Sequence, residues 1–307
     1  MKLQQPRPKP QLKKPKKLSN VMSQPVSHSV DGLTRFRMDF AYDGTDFTGF
    51  VKQPKHRTVQ GDLLAAMSII LGETTNDFGM RVAGRTDAGV HASNQVVHVD
   101  FSTEQLKRLG RSTNMVAKLN KMLPESIRVH RFEPAAPGFD ARFSAIYRRY
   151  RYQISDDFAP KDPQQMRYVL NLTYALDPDA MNEAAQQLIG LGDFASFCKS
   201  REGATTIRDL KRIRVKRNSQ NIIEIELKAD AFCHNMVRSI VGALIAVGAG
   251  KATKADLKRT FERAKRVQTY KVVEPKGLTL IEIGYPVPSR LGYQAERSRA
   301  RRTLDES

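Results

Sequence analysis

The sequence has few cysteines and no long apolar segment, and these shortages exclude several classes of protein. Its two cysteines, Cys198 and Cys233, are far apart and outside any metal-ligand spacing, so we expect two free thiols and no metal site. The longest apolar run, residues 240–249, is half the roughly 20 residues that span a bilayer. The N-terminus also lacks the apolar core of a secretory signal. We therefore expect a cytoplasmic protein with no membrane partner.

Acidic residues are missing from residues 1–30, which carry seven lysines and arginines. The whole chain of 307 residues has 51 Lys and Arg against 32 Asp and Glu, a net charge of +19. Subtracting these seven charges leaves +12 on the remainder, which favours a polyanionic partner, nucleic acid before a membrane surface. Residues 1–31 are rich in Pro, Lys, Gln and Ser and lack periodicity, which predicts a disordered basic arm.

Beyond the arm, the chain divides into two halves with similar patterns. Residues 32–140 and residues 141–286 each mix strand and helix patterns in a strand-helix-strand-strand order, which predicts an α+β chain with its two sheets joined into one. Residues 103–123 have the periodicity of one basic amphipathic helix, and residues 233–247 are apolar nearly all round, as in a buried helix. The tail, residues 287–307, is predicted to be flexible.

A first candidate site is the sequence GRTDAGVHA at residues 84–92, between two strand-like segments. It places an acid, Asp87, among small residues and two residues from Arg85, with His91 as a candidate base. One interpretation is a polar turn in which Asp87 caps its own backbone, and taken alone the stretch favours that turn. The other is a shaped loop that presents Asp87 for chemistry, with glycines that permit unusual backbone geometry.

A second candidate is the sequence YRRYRY at residues 147–152. On a strand, Arg148, Tyr150 and Tyr152 share one face. Aromatic rings interleaved with arginines can stack on bases and neutralise phosphates. An edge strand with snorkelling side chains is the other interpretation.

A third candidate is the start of the predicted buried helix, where His234 and Arg238 are four residues apart and so would share one helical face. A helix start attracts anions. An arginine beside an otherwise apolar helix either pairs with an internal acid or presents its charge to a ligand.

Taken together, these stretches resemble the TruA family of tRNA pseudouridine synthases, over about residues 34–286. The resemblance is carried by residues 84–91, 142–144 with 149–152, 232–242 with 277–278, and two shorter matches at 42–44 and 58–60. At residues 50–53 the chain departs from the family, which more often has a tryptophan there.

The resemblance implies a pseudouridine synthase fold, with two RRM-like or ferredoxin-like halves forming a mixed, mainly antiparallel central sheet flanked by helices. It implies isomerisation of uridine at positions 38, 39 and 40 of the tRNA anticodon stem-loop by a homodimer, without cofactor or metal. The alternatives are a non-catalytic basic RNA-binding protein and a pseudouridine synthase that acts on another RNA. His91 is then left with a structural role.

The resemblance also implies roles for five residues. Asp87 would be the catalytic carboxylate, paired in the pocket with Arg238. Tyr150 would stack on the target uracil and take part in removing the proton from C5. Arg85 would lie beside the flipped nucleotide, and Leu278 would form part of the apolar wall.

Overall fold

The computed structural model describes residues 32–74, 77–110, 114–199, 205–266 and 269–300. The predicted basic arm, residues 1–31, therefore lies outside the described residues. The strands are β1 (Thr34–Tyr42), β2 (Arg81–Val82), β3 (His91–Phe101), β4 (Ile127–Pro134), β5 (Tyr147–Ser155), β6 (Leu170–Asn171), β7 (Gly190–Asp193), β8 (Ile207–Arg217), β9 (Ile223–Ala229) and β10 (Leu278–Gly284). The helices are α1 (Val59–Leu71), α2 (Thr103–Leu109), α3 (Met115–Met122), α4 (Pro178–Ala185), α5 (Met236–Gly248), α6 (Lys254–Glu262) and α7 (Leu291–Arg299).

All of these strands belong to one sheet, in the order β4-β1-β3-β10-β5-β9-β8-β7, with β2 paired to β3 and β6 paired to β5. The β3–β10 and β5–β6 pairs are parallel, and the other strand pairs are antiparallel. The predicted α+β class, with a mixed and mainly antiparallel sheet flanked by helices, is confirmed. The last strand, β10, joins the halves because it inserts between β3 and β5.

Helix α5 is the buried helix that the sequence predicts, and it begins at Met236. It packs against α4, and Gly242 lets another segment of backbone cross it closely. A Cβ atom at Gly242 would lie 1.9 Å from the carbonyl oxygen of Lys271, so no larger residue fits there without moving that segment. This crossing brings residues 271–273 beside the N-terminal turn of α5.

Two predictions about the course of the chain are wrong. The single helix predicted for residues 103–123 is two helices, α2 and α3, because Gly110 ends α2 with a φ of 74°. The tail predicted to be flexible contains α7, in which Leu291 and Ala295 are buried. Ser144 holds the start of α7 by donating its hydroxyl to the carbonyl of Leu291 at 3.0 Å. Among the described residues, every helix is too short or too polar to span a bilayer.

Candidate active site

A cleft of about 770 Å³ is lined by segments from both halves of the chain. Its walls are residues 48–53, the β2–β3 loop, and residues 231–238, which lead into α5. The three sequence motifs also contribute Arg142, Arg148, Tyr150 and Leu278 to the lining. The structure thus brings together the three stretches that the sequence analysis singled out, although they are far apart in the chain.

The loop between β2 and β3 carries Asp87 and is anchored on either side of it. The Thr86 hydroxyl shares a hydrogen bond of 2.7 Å with the Tyr42 hydroxyl, and the Thr86 carbonyl accepts one from the Phe50 backbone N–H at 3.1 Å. After Asp87, the backbone N–H of Gly89 donates to the Phe47 carbonyl at 3.2 Å. These contacts make the stretch a supported loop whose acid faces a cleft, rather than an isolated polar turn.

Gly89 has a left-handed backbone, with a φ of 73°, and lies against Pro275. A Cβ atom at Gly89 would lie 2.8 Å from the Pro275 Cγ, so a side chain there must displace the loop. Gly250 has a similar φ of 68° but no neighbouring atom within 4 Å of such a Cβ.

We expect Gly89→Ala to destabilise the protein by about 2–3 kcal/mol, and Gly250→Ala by only about 1 kcal/mol, since both substitutions incur the left-handed backbone penalty and only the first also clashes. Urea unfolding of the two variants measures this difference. Equal losses of stability would contradict the contact with Pro275 as the cause.

The two oxygens of the Asp87 carboxylate face different basic groups. Oδ2 lies 3.8 Å from Nη1 of Arg238, and Oδ1 lies 3.5 Å from Nε2 of His234. Arg238 is held by its Nε, which donates to the Val273 carbonyl at 2.7 Å on the segment that crosses α5. The pairing of Arg238 with Asp87 is the arrangement that the resemblance implied.

Tyr150 is almost fully buried on the cleft side of β5. Its ring meets that of Phe232 edge-on, with 5.1 Å between the centroids. Burial raises the pKa of the Tyr150 hydroxyl above its usual value, and the nearby Tyr42 and the negative charge of Asp87 raise it further. The hydroxyl therefore stays protonated at neutral pH, where it can donate a hydrogen bond more readily than it can accept a proton.

The other two residues with implied substrate contacts also line the cleft. Leu278, the first residue of β10, is buried in its wall, and Arg85 is exposed on the loop beside Asp87. The further basic side chains of the lining are Arg142, Arg148, Lys199, Arg208 and Arg238. Among the described residues that line the cleft, Asp87 is the one carboxylate. The cleft therefore combines a single acid with a strongly basic surround.

Arg148 has a role that the sequence analysis missed. Its buried guanidinium donates to three backbone carbonyls: those of Ala83 at 2.7 Å, Arg142 at 2.6 Å and Asp230 at 2.8 Å. Burial lowers its pKa, and these carbonyls rather than a phosphate satisfy its donors. The edge-strand interpretation is wrong, because β5 lies between β10 and β9. The alternation in YRRYRY, which places Arg148 on one face with Tyr150 and Tyr152, was the sequence signal that could have indicated a buried role for Arg148.

His91 and the two cysteines have structural environments. The Nδ1 of His91 accepts a hydrogen bond from the Gly44 backbone N–H at 3.0 Å, and its Nε2 lies 3.1 Å from the Lys276 carbonyl oxygen. Burial lowers the pKa of His91, which favours the neutral imidazole. The expectation of two free thiols is wrong, because folding brings Cys198 and Cys233 to a Cα–Cα distance of 5.7 Å and they form a disulfide.

Known proteins are similar to this chain along most of its length. A family model described as tRNA pseudouridine synthase matches residues 184–286. The tRNA pseudouridine synthase A of Leifsonia xyli subsp. xyli is 45% identical over 287 residues, covering 90% of this chain and all of that protein. The protein of the same name from Mycobacterium leprae is 40% identical over 295 residues, covering 93% of this chain and all of that protein.

Among solved structures, an H/ACA ribonucleoprotein bound to a substrate RNA containing 2′-deoxyuridine is similar at 10% identity and a TM-score of 0.29. That match covers 69% of this chain and 53% of the other chain, and it is too distant to bear on function. The sequence relatives are much closer, since they match along nearly their whole length. This chain belongs to the tRNA pseudouridine synthase A family.

Proposed function

We propose that this protein isomerises uridine to pseudouridine in tRNA, with Asp87 as the catalytic carboxylate. The observation that carries the proposal is the cleft itself, in which one carboxylate is paired with Arg238 and surrounded by basic side chains. A basic cleft suits a polyanionic RNA, and a single anchored acid suits chemistry at one nucleotide. This combination favours an enzyme over a non-catalytic RNA-binding protein, which would give Asp87 no role.

The reaction exchanges one bond to the sugar for another and needs no net addition of atoms. The glycosidic N1–C1′ bond of uridine breaks, the uracil rotates while it is held, and C5 forms a bond with C1′. The proton on C5 leaves and N1 gains one, so the isomerisation balances without a cofactor. An ionised Asp87 can act either at C6 of the base or at the sugar carbon, since a carboxylate is both a nucleophile and a base.

The neighbours of Asp87 have complementary parts in this proposal. Arg238 holds the carboxylate by its charge, and Leu278 supplies an apolar wall for the base. Tyr150 presents its ring to the uracil, and its protonated hydroxyl serves as a hydrogen-bond donor. Arg85 stands at the loop beside the extruded nucleotide, where contacts must offset the few kcal/mol that flipping costs.

The target that we propose is uridine at positions 38, 39 and 40 of the anticodon stem-loop, modified in the cytoplasm by a homodimer. The test incubates the purified protein with a tRNA transcript whose uridines carry tritium at C5. We expect tritium release, because pseudouridine formation breaks the C5–H bond, and modified positions that map to 38–40. A transcript with cytidine at those positions is the matched control.

Three outcomes would contradict the proposal. Protein that binds tRNA without releasing tritium would be a non-catalytic RNA-binding protein. Release that persists from the cytidine control would place the modified uridines elsewhere, and equal activity on an unrelated RNA would make tRNA the wrong substrate class.

A further inference from the structure

His234 lies close to the Asp87 carboxylate, although the resemblance implied no role for this histidine. Its Nε2 is 3.5 Å from Oδ1, while Arg238 approaches Oδ2. A carboxylate that is approached at both oxygens is restricted in rotation about its Cβ–Cγ bond. His234 and Arg238 thus approach different oxygens of the Asp87 carboxylate, at distances a little longer than an ordinary hydrogen bond.

The backbone around His234 is anchored. The carbonyl of His234 accepts a hydrogen bond from the Lys199 backbone N–H at 3.0 Å. The preceding residue, Cys233, is joined to Cys198, and the following residue, Asn235, turns the chain into α5 with a φ of 67°. Since α5 begins only at Met236, His234 precedes the helix rather than lying on the helical face that its spacing from Arg238 predicted.

We propose that His234 is a positioning residue for Asp87, and that its Nε2–H donates a hydrogen bond to Oδ1 when a substrate fills the cleft. This inference rests on the proposed function, in which Asp87 is the catalytic carboxylate. Catalytic hydrogen bonds are often long in the empty site and shorten in the complex, and a movement of about 0.5 Å brings this contact to an ordinary N–H···O distance.

The contributions of His234 and Arg238 differ in kind. The arginine provides a permanent positive charge and is tied to the Val273 carbonyl, so it acts on Asp87 through its charge from a fixed place. The histidine can provide an N–H donor in its neutral form, with the proton on Nε2 and a lone pair on Nδ1. In this proposal His234 serves Oδ1 and Arg238 serves Oδ2. The other lone pairs of the Asp87 carboxylate are then free to act on the substrate.

A contact between His234 and an RNA phosphate is the competing role, since the His234 side chain is 46% exposed. The two roles predict different kinetics. A phosphate contact contributes to tRNA affinity, whereas a residue that positions Asp87 contributes to the rate of the chemical step.

The test compares His234→Ala, His234→Asn and His234→Gln in single-turnover reactions with tRNA. The amide nitrogen of glutamine reaches about as far as Nε2, whereas that of asparagine reaches only the position of Nδ1. We expect alanine and asparagine to slow the chemical step by about 10- to 100-fold, as substitutions of supporting residues typically do. The chemical step of His234→Gln should stay within about threefold of the wild-type rate. The tRNA Kd of every variant should stay within about twofold of wild type, since a positioning residue affects the chemical step and not tRNA binding. His130→Ala, in an exposed histidine on β4, is the matched control and should change neither value.

The proposal is overturned if His234→Ala reacts as fast as wild type, or if His234→Gln is as slow as His234→Ala. A raised tRNA Kd with an unchanged rate would also overturn it, in favour of the phosphate contact. These results leave the proposed function standing, because the wild-type protein still forms pseudouridine. If wild-type protein binds tRNA but forms no pseudouridine, the proposed function fails and this inference fails with it.

Discussion

Asp87→Asn is expected to abolish pseudouridine formation, with the rate falling by about 10⁴-fold or more, as for other essential catalytic carboxylates. Asparagine preserves the shape of the side chain but removes the negative charge that can attack the substrate or accept a proton. It also replaces one acceptor oxygen by an N–H₂ group, which faces the donors of His234 and Arg238. Tritium release from C5-labelled tRNA measures the loss.

The same substitution should not weaken tRNA binding. Asp87 is the one carboxylate among the described residues lining a basic cleft, so removing its charge reduces repulsion of the phosphates. We expect a tRNA Kd equal to that of wild type or tighter by a few fold, as for a residue that acts on the chemical step. Asp157→Asn, at an exposed position, is the control and should leave both rate and affinity unchanged. A rate for Asp87→Asn within tenfold of wild type would rule out Asp87 as the catalytic carboxylate.

Arg148→Lys is expected to lower the free energy of unfolding by about 3 kcal/mol, because lysine cannot replace a planar group that serves three separate carbonyls. At least one of the carbonyls of Ala83, Arg142 and Asp230 would lose its buried donor. Ala83 precedes the loop that carries Asp87, and Asp230 precedes the segment that leads to Arg238. We therefore expect the rate of pseudouridine formation to fall even at temperatures where the variant is folded.

Urea unfolding and single-turnover assays on the same preparation measure the two effects. Arg151→Lys is the matched control, since Arg151 lies on the other face of the same strand and is partly exposed beside Glu226. Partly exposed ion pairs contribute about 0–1 kcal/mol, so this control should be nearly neutral. Similar losses in the two variants would show that the three carbonyl contacts do not hold the cleft together.

Strand β5 and helix α5 show what local pattern can predict. The alternation in YRRYRY placed Arg148, Tyr150 and Tyr152 on one face, and all three are buried. The continuous apolar character of residues 233–247 indicated a buried helix, which α5 is. Such predictions succeed because the period of a strand or a helix is set by its own backbone. The break at Gly110 was missed because one glycine within an otherwise helical pattern is compatible with either a continuing or an ending helix.

The motif around Asp87 illustrates the limit of local pattern. On the sequence alone it favoured a capped turn over an active-site loop, and only the resemblance to a family favoured the active-site loop. The contacts that support the loop come from Tyr42 and Phe50, and the charges that face it come from His234 and Arg238. None of these partners is within 30 residues of Asp87, so no periodicity could have paired them.

The basic charge of the chain, its α+β class, the faces of its principal strand and helix, and the motifs of its family can all be read from the amino-acid sequence. The insertion of β10 between the two halves, the binding of carbonyls by Arg148 and the meeting of Cys198 with Cys233 cannot, and neither can the approach of His234 to the second oxygen of Asp87. Composition and backbone period act locally, whereas these contacts arise only when distant segments pack around one cleft.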